Sequence, residues 1–293
     1  MQTVEALTLL ALSTTGEPSE HAGQFAGHRL VDAHCIPPLP RANLAAMNDL
    51  EAAGTFVILG ATGAVGSHLA ANLHARGAKL VLLARDADRL AAIAGPLGAG
   101  TALLPAVDAG SIRTALVAAC RDTPVAGIAH CVGSLLLKPA HRTSAEEWHA
   151  VLETNLSSAF GVVMAVPEIM PTAGSVVFCS SVAANVGLAN HEAIAAAKAG
   201  VQGLARAAAA THARRGVRFH CVAPALVDSR MTAPLLERAG MREAAAKQNP
   251  LGRIGTPGDV ARAIAFLLDP QNAWIDGQVL GVDGGFGSVR GVG

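Results

Sequence analysis

Thr55-Phe56-Val57-Ile58-Leu59-Gly60-Ala61-Thr62-Gly63-Ala64-Val65-Gly66 is the stretch on which the fold turns. Thr55 and four apolar residues, three of the five β-branched, run without a break into a turn carrying glycine at 60, 63 and 66, and an Ala-rich helical segment follows. An unbroken apolar run of this length reads as a strand buried on both faces. The glycines let the backbone turn tightly, come close to a pyrophosphate and seat the helix on the sheet, while the helix start offers free N–H groups and the positive end of its dipole to phosphates. A glycine triplet alone is weak evidence. Between a first strand and a first helix it points to a dinucleotide site, with Gly60, Thr62, Gly63, Val65 and Gly66 as its candidate residues.

The same alternation continues outward. Candidate strands lie at 79–84, 101–107, 125–131, 174–180, 217–223 and 278–282, separated by helical stretches at about 64–75, 86–94, 111–121, 144–170, 191–214 and 257–268. Strand and helix in strict turn, with near-continuous apolar strands, predict one doubly wound α/β domain of Rossmann type over 51–293: a seven-stranded parallel sheet with helices on both faces. The segment 225–256 interrupts the alternation and is the expected substrate-covering insertion. Residues 1–50 lack the pattern and carry the Pro-rich run Ile36-Pro37-Pro38-Leu39-Pro40; they read as a disordered extension, or as sequence upstream of a natural start at Met47. Their first basic residue is Arg29, after Glu5, Glu17 and Glu20, which fits neither a secretory nor a mitochondrial leader.

Composition narrows the function classes. The 293 residues hold 22 Lys+Arg against 22 Asp+Glu, leaving no basic footprint for nucleic acid or an anionic membrane. Charge-free runs at 52–75, 90–107 and 169–190 are each broken by Gly with Pro, Asn, Ser or His, so no membrane span is expected and the cytoplasm is the default location. Five cysteines (Cys35, Cys120, Cys131, Cys179, Cys221) with no CxxC pair argue against a disulfide framework and a zinc site; Cys131, Cys179 and Cys221, near strand ends, read as small buried residues. No metal site is expected.

The second strand ends Leu82-Leu83-Ala84-Arg85-Asp86. An acidic residue at that strand end holds a free ribose 2′-hydroxyl, whereas arginine suits a 2′-phosphate, so NADP(H) is expected over NAD(H). Arg85 fits equally as a solvated helix-start residue. Asp108, just past the third strand, is placed to reach the adenine.

From Thr55 to the C-terminus the chain resembles the short-chain dehydrogenase/reductase family. The resemblance is carried by Asn249-Pro250-Leu251-Gly252-Arg253-Ile254-Gly255-Thr256-Pro257-Gly258-Asp259-Val260, by Ile275-Asp276-Gly277-Gln278 and by Val282-Asp283-Gly284-Gly285. Pro224 to Thr232 is similar to the loop that packs on the nicotinamide, which implies a contact from Val227, and His130-Cys131-Val132-Gly133 stands where the family carries Asn-Asn-Ala-Gly, which implies one from Gly133. Of the Asn, Ser, Tyr, Lys tetrad, the resemblance implies Asn155 for the relay water, Ser181 for the substrate oxygen and Lys198 for the nicotinamide ribose. Ser180 competes with Ser181, since neighbouring strand residues face opposite sides. The resemblance further implies a homo-oligomer, dimer or tetramer, packed through helix 191–214; that Ala-rich helix also fits as one that simply packs on the sheet.

The tetrad's tyrosine falls at position 194, which is Ile194, and the chain has no tyrosine anywhere. Neither a shifted residue nor an identical subunit can supply the phenol. His191 is the nearest substitute by sequence: it lies three residues before Ile194 on the same helix face, and an ordinary imidazole titrates near pH 6.5. It fits equally as a helix-start residue bonded to the backbone. The expected activity is an NADP-dependent oxidoreductase acting on a small carbonyl/alcohol or activated alkene without the usual acid/base; the alternative is an NAD(P)-binding regulator or supporting subunit without turnover. Lyase or epimerase chemistry on a tightly held cofactor ranks last, because extended relatives also depend on the tyrosine.

Overall fold

The computed structural model describes residues 50–290. The extension expected at 1–50 lies outside them, except that Leu50 is already part of the fold: it is buried and its N–H donates to Arg76 O. The strands are β1 (Thr55–Leu59), β2 (Lys79–Ala84), β3 (Gly100–Leu103), β4 (Val125–His130), β5 (Gly174–Cys179), β6 (Val217–Pro224) and β7 (Val279–Val282). They form one parallel sheet in the order β3-β2-β1-β4-β5-β6-β7. The order reverses between β1 and β4, which opens a crevice at the carboxyl ends of the strands, the usual ligand site of an open α/β sheet.

Helices α1 (Ala64–Ala75), α2 (Ala87–Leu97) and α9 (Pro257–Leu268) cover one face; α3 (Ala109–Cys120), α5 (Ser158–Ile169) and α6 (Glu192–His212) cover the other. The period-2 geometry of β1 divides its residues between two cores. Phe56 and Ile58 pack with Leu69, Leu73, Leu90 and Ile264, while Val57 and Leu59 pack with Ile112, Leu116, Val162 and Val201. Helix α4 (Ala145–Leu152) starts at a capping box, with Ser144 and Glu147 each bonding the other's backbone N–H, and a π-turn (Glu153–Ser157) joins it to α5. The run Ala145–Ile169 is long and apolar enough to cross a bilayer by length and composition, yet its Val162, Val166 and Ile169 are spent on the core.

Two expected elements differ. The third strand, expected over 101–107, ends at Leu103, where its partner β2 also ends, and Pro105 beyond it has no N–H to offer a ladder. The insertion 225–256 holds two short helices, α7 (Ala233–Leu236) and α8 (Met241–Gln248).

Two core histidines make the fold acid-sensitive. His130 Nε2 lies 2.9 Å from Ser158 Oγ, whose proton goes to Thr154 O, so the ring proton sits on Nε2 and the buried Nδ1 is left without a partner. Desolvation, then the Lys198 charge, pushes its pKa down to about 3; desolvation and then Arg218 push His220 down to about 4. The unfolded chain takes up these protons near pH 6.5 and the folded one does not. Stability is therefore whole above about 6.5 and falls with pH by about 1.4 kcal/mol per unit for each histidine. Urea midpoints measured from pH 7 to 5 should decline on that slope, and His130→Asn or His220→Asn should each remove its share.

Candidate active site

The crevice at the strand ends is a cleft of about 800 Å³, lined by the Gly-rich turn, the ends of β4 and β5, the start of α6 and the 225–256 segment. A second cavity, about 620 Å³, opens at the opposite end of the sheet around Pro124, Gly174 and Gly216, and none of the candidate cofactor or catalytic residues lines it.

The turn after β1 is built for close approach. Gly60 has φ +77°, and a Cβ there would lie 2.8 Å from the backbone of Cys131. A Cβ on Gly66 would lie 2.4 Å from Gly60 O, so only hydrogen at both positions allows α1 to start this close to the sheet. Side chains cap α2, α3, α4 and α9 (Asp86, Asp108, Ser144, Thr256), whereas Gly63 at the start of α1 supplies none. The first N–H groups of α1 therefore remain open beside the cleft that Gly63, Ala64, Val65 and Gly66 line. These residues fit the pyrophosphate of a dinucleotide.

Three guanidinium groups gather beside this turn. Arg85 is exposed on the cleft rim, as expected. Arg89 Nη2 donates to Thr62 O (2.6 Å), and Arg230 Nη2, from the 225–256 segment, donates to the same oxygen (3.0 Å). Arg89 and Arg230 both line the cleft and were missed in the sequence. Arg89 sits one helical turn after Arg85, a usable signal; nothing in the sequence shows that Arg230 folds back 168 positions onto Thr62. Val227 lines the cleft too, its segment fixed by backbone bonds between Gly255 and both Leu226 and Asp228. Asp108 departs from expectation: its carboxylate accepts from Ser111 N (2.9 Å) as the cap of α3, and Val107 and Leu104 line the cleft instead.

Asn155, Ser181, Lys198 and His191 all line the same cleft. Asn155 lies in the π-turn and is wholly buried, its Nδ2 donating to Val151 O and Ser134 Oγ (both 2.9 Å) while its Oδ1 accepts from Ser134 N (3.2 Å). A π-turn re-aims one residue of an otherwise regular helix, and here that residue is Asn155. Lys198 is buried, with Nζ donating to Cys179 O (2.7 Å), and desolvation lowers its pKa. A Cβ on Gly133 would come within 3.1 Å of Asn155 Oδ1 and 3.5 Å of Lys198 Nζ, so that glycine keeps the passage between them open.

The choice between the two serines is decided by their partners. Ser180 is buried and occupied twice, donating to Lys198 O and accepting from Gln202 Nε2. Ser181 Oγ accepts from Ala183 N (3.2 Å), which leaves its own proton for a ligand. His191 is the first residue before α6, and its Nδ1 is 2.8 Å from Ala189 O; that bond places the neutral ring's proton on Nδ1 and makes Nε2 the acceptor. The His191 ring is anchored to the backbone and also lines the cleft. Ile194 lines the cleft but is 3% exposed, packed with Val151, Ala193 and Ala197. Among the described residues no group of three potential metal ligands occurs.

Comparison with known proteins follows this geometry. Residues 60–287 match the family model described as "Enoyl-(Acyl carrier protein) reductase". A tropinone reductase homolog of Arabidopsis thaliana is 38% identical over 157 residues, which is 53% of this chain and 60% of that protein. The 3-oxoacyl-(acyl-carrier-protein) reductase FabG of Escherichia coli is 34% identical over 242 residues, covering 78% of this chain and 95% of the relative. A solved short-chain type dehydrogenase/reductase from Mycobacterium ulcerans superposes with TM-score 0.76 at 27% identity, over 81% of this chain and 90% of the other.

Proposed function

The chain belongs to the short-chain dehydrogenase/reductase family, and from that premise we propose that it is an NADP(H)-dependent oxidoreductase acting on a small carbonyl/alcohol or activated alkene without a phenol. The bound nicotinamide supplies or accepts the hydride. Gly60, Thr62, Gly63, Val65 and Gly66 hold the pyrophosphate, Val227 and Gly133 bound the nicotinamide end, and Lys198 grips the ribose with the two N–H donors that Cys179 O leaves free. Ser181 donates its hydroxyl proton to the substrate oxygen. His191 moves the proton at Nε2: as the imidazolium it releases that proton to the nascent alkoxide in reduction, and as the neutral ring it takes one from the alcohol in oxidation. The names of the family model and of the bacterial relative, an enoyl and a 3-oxoacyl reductase, support the two substrate classes.

The observation that carries this reading is Ser181: of two adjacent serines that line the cleft, it keeps a free donor while the hydroxyl proton of Ser180 is taken by Lys198 O. The test is NADPH oxidation over a panel of carbonyls and enals. Turnover should occur, and His191→Ala should cut it by ~100-fold or more with NADPH affinity unchanged. Absence of turnover on the whole panel, or turnover that His191→Ala leaves unchanged, would remove the mechanism.

Preference for NADP(H) rests on Arg85, with Arg89 and Arg230 adding positive charge beside Thr62. Arg85→Glu should shift the NADPH-to-NADH affinity ratio by ~10–100-fold toward NADH, through loss of a charge-assisted contact and gain of repulsion. Titration of both nucleotides checks it. Half-exposed Trp148, Phe160 and Met164 on α4 and α5, beside α6, support a homo-oligomer.

One observation favours a second reading. Ile194 is sealed among apolar side chains where the acid would stand, which suits an NAD(P)-binding regulator or supporting subunit. Saturable NADPH binding without oxidation by any substrate would select it.

A further inference from the structure

We propose that Cys131 and Cys179 form a reversible redox couple in the floor of the cleft, closing to a disulfide under a hydroperoxide and thereby weakening cofactor binding. The consequence for the cofactor rests on the dinucleotide reading above; the couple itself does not.

The pair is placed by the sheet. β4 and β5 are neighbouring parallel strands with His130 opposite Phe178, so Cys131 and Cys179, one residue further on each, face one another across the strand ends. Neighbouring strands lie about 4.8 Å apart, within the Cα separation a disulfide bridges. Both side chains fall on the same face, packed against the core that holds Phe56 and Ile58, and the two sulfurs stand 3.9 Å apart. Rotation about the side-chain bonds, with a small approach of the two strand ends, brings them together. Both residues are half-buried and line the cleft, so a small oxidant reaches them; Cys120 and Cys221 are buried elsewhere.

The surroundings divide the two roles. Bonding from the Cys131 thiol and, after it, the charge of Lys198 hold the Cys179 thiol below its ordinary value, while the same pairing and burial raise Cys131. Cys179, whose carbonyl oxygen anchors the Lys198 ammonium, is the sulfur that attacks, and Cys131 is the one that resolves. The Cys179 thiolate displaces hydroxide from the peroxide O–O bond and becomes a sulfenic acid. The Cys131 sulfur then attacks it, forming the S–S bond and expelling the sulfenic oxygen as water. Two thiols lose two electrons and two protons, and the peroxide becomes two waters. A dithiol reverses the step by exchange.

Closure acts on the site through neighbours already described. The Cys131 backbone is what Gly60 is pressed against, Gly133 lies two residues on, and Cys179 O holds Lys198 Nζ. Drawing the strand ends together disturbs all three contacts.

The test is peptide mapping of the full-length protein after hydrogen peroxide, with free thiols alkylated, in the presence and absence of NADPH. The expected result is a Cys131–Cys179 linked peptide pair that disappears on treatment with dithiothreitol and forms more slowly when NADPH is present. NADPH affinity of the oxidised protein should fall by ~10-fold or more and return on reduction. Cys131→Ser and Cys179→Ser should each abolish the link and the loss of affinity; the link in the wild-type chain is read without any variant. Independent sulfinic acids at the two positions, links to other cysteines, or thiols that survive peroxide would overturn the couple. A clean link with unchanged NADPH affinity would overturn its effect on the site. A clean link in a protein that binds no NADPH in either state would instead overturn the cofactor reading.

Discussion

Replacing Ile194 by tyrosine in a chain that also carries His191→Ala should raise NADPH-dependent carbonyl reduction by ~10²–10⁴-fold, the usual yield of a positioned general acid. Position 194 lies one helical turn before Lys198 on α6 and lines the cleft, so a phenol there projects toward the same space as Ser181 and Lys198. The ammonium of Lys198, already desolvated and anchored to Cys179 O, favours the ionised phenol and draws its pKa toward neutrality. Accommodation costs stability: Ile194 is 3% exposed and Leu135, Leu136, Leu152 and Leu156 border its cluster. A larger ring in that space costs about 1–3 kcal/mol, readable as a lower urea midpoint. A folded protein carrying both Ile194→Tyr and His191→Ala that binds NADPH but reduces no faster than the His191→Ala parent would mean that the rest of the site is not arranged for carbonyl chemistry.

Lys198→Met should weaken NADPH binding by ~100-fold or more. The side chain is buried, one of its three donors is taken by Cys179 O, and two remain at the passage that Gly133 keeps open. A hydrogen bond from a charged donor contributes about 1.5–3 kcal/mol, so losing two removes two or more decades of affinity. Methionine keeps most of the apolar stem, and the stability loss should stay near the about 1–3 kcal/mol of an orphaned Cys179 carbonyl. Calorimetric titration and thermal unfolding separate the two effects. An unchanged affinity would place the ribose elsewhere.

What the sequence made legible follows from periodicity and from local signals. Helices 64–75 and 257–268 have their observed bounds because Gly63, Thr256 and Pro257 mark their starts. The glycine turn was likewise readable, lying at fixed spacing within one strand–helix unit, whereas Lys198 was singled out only through the family resemblance. The π-turn at Glu153–Ser157 was not, since a single extra residue within an apolar helix leaves the 3.6-residue pattern almost intact. Ser180 and Ser181 were indistinguishable until the partners Gln202 and Ala183 were placed. Long-range neighbours were beyond reach for the same reason: Arg230 on Thr62 and Cys131 beside Cys179 depend on where the chain returns. Cys131 and Cys179, expected to be simple buried residues like Cys221, instead stand half-buried at the cleft.

The proposed hydride transfer stands on the cleft holding a phosphorylated dinucleotide, and calorimetric titration of the wild-type protein with NADPH and NADH tests that directly. The expected result is saturable binding of one NADPH per chain with a dissociation constant in the micromolar range, and NADH at least ~10-fold weaker. Heats that stay at the level of dilution for both nucleotides up to millimolar concentration would contradict it, and so would tighter binding of NADH than of NADPH for the part assigned to Arg85.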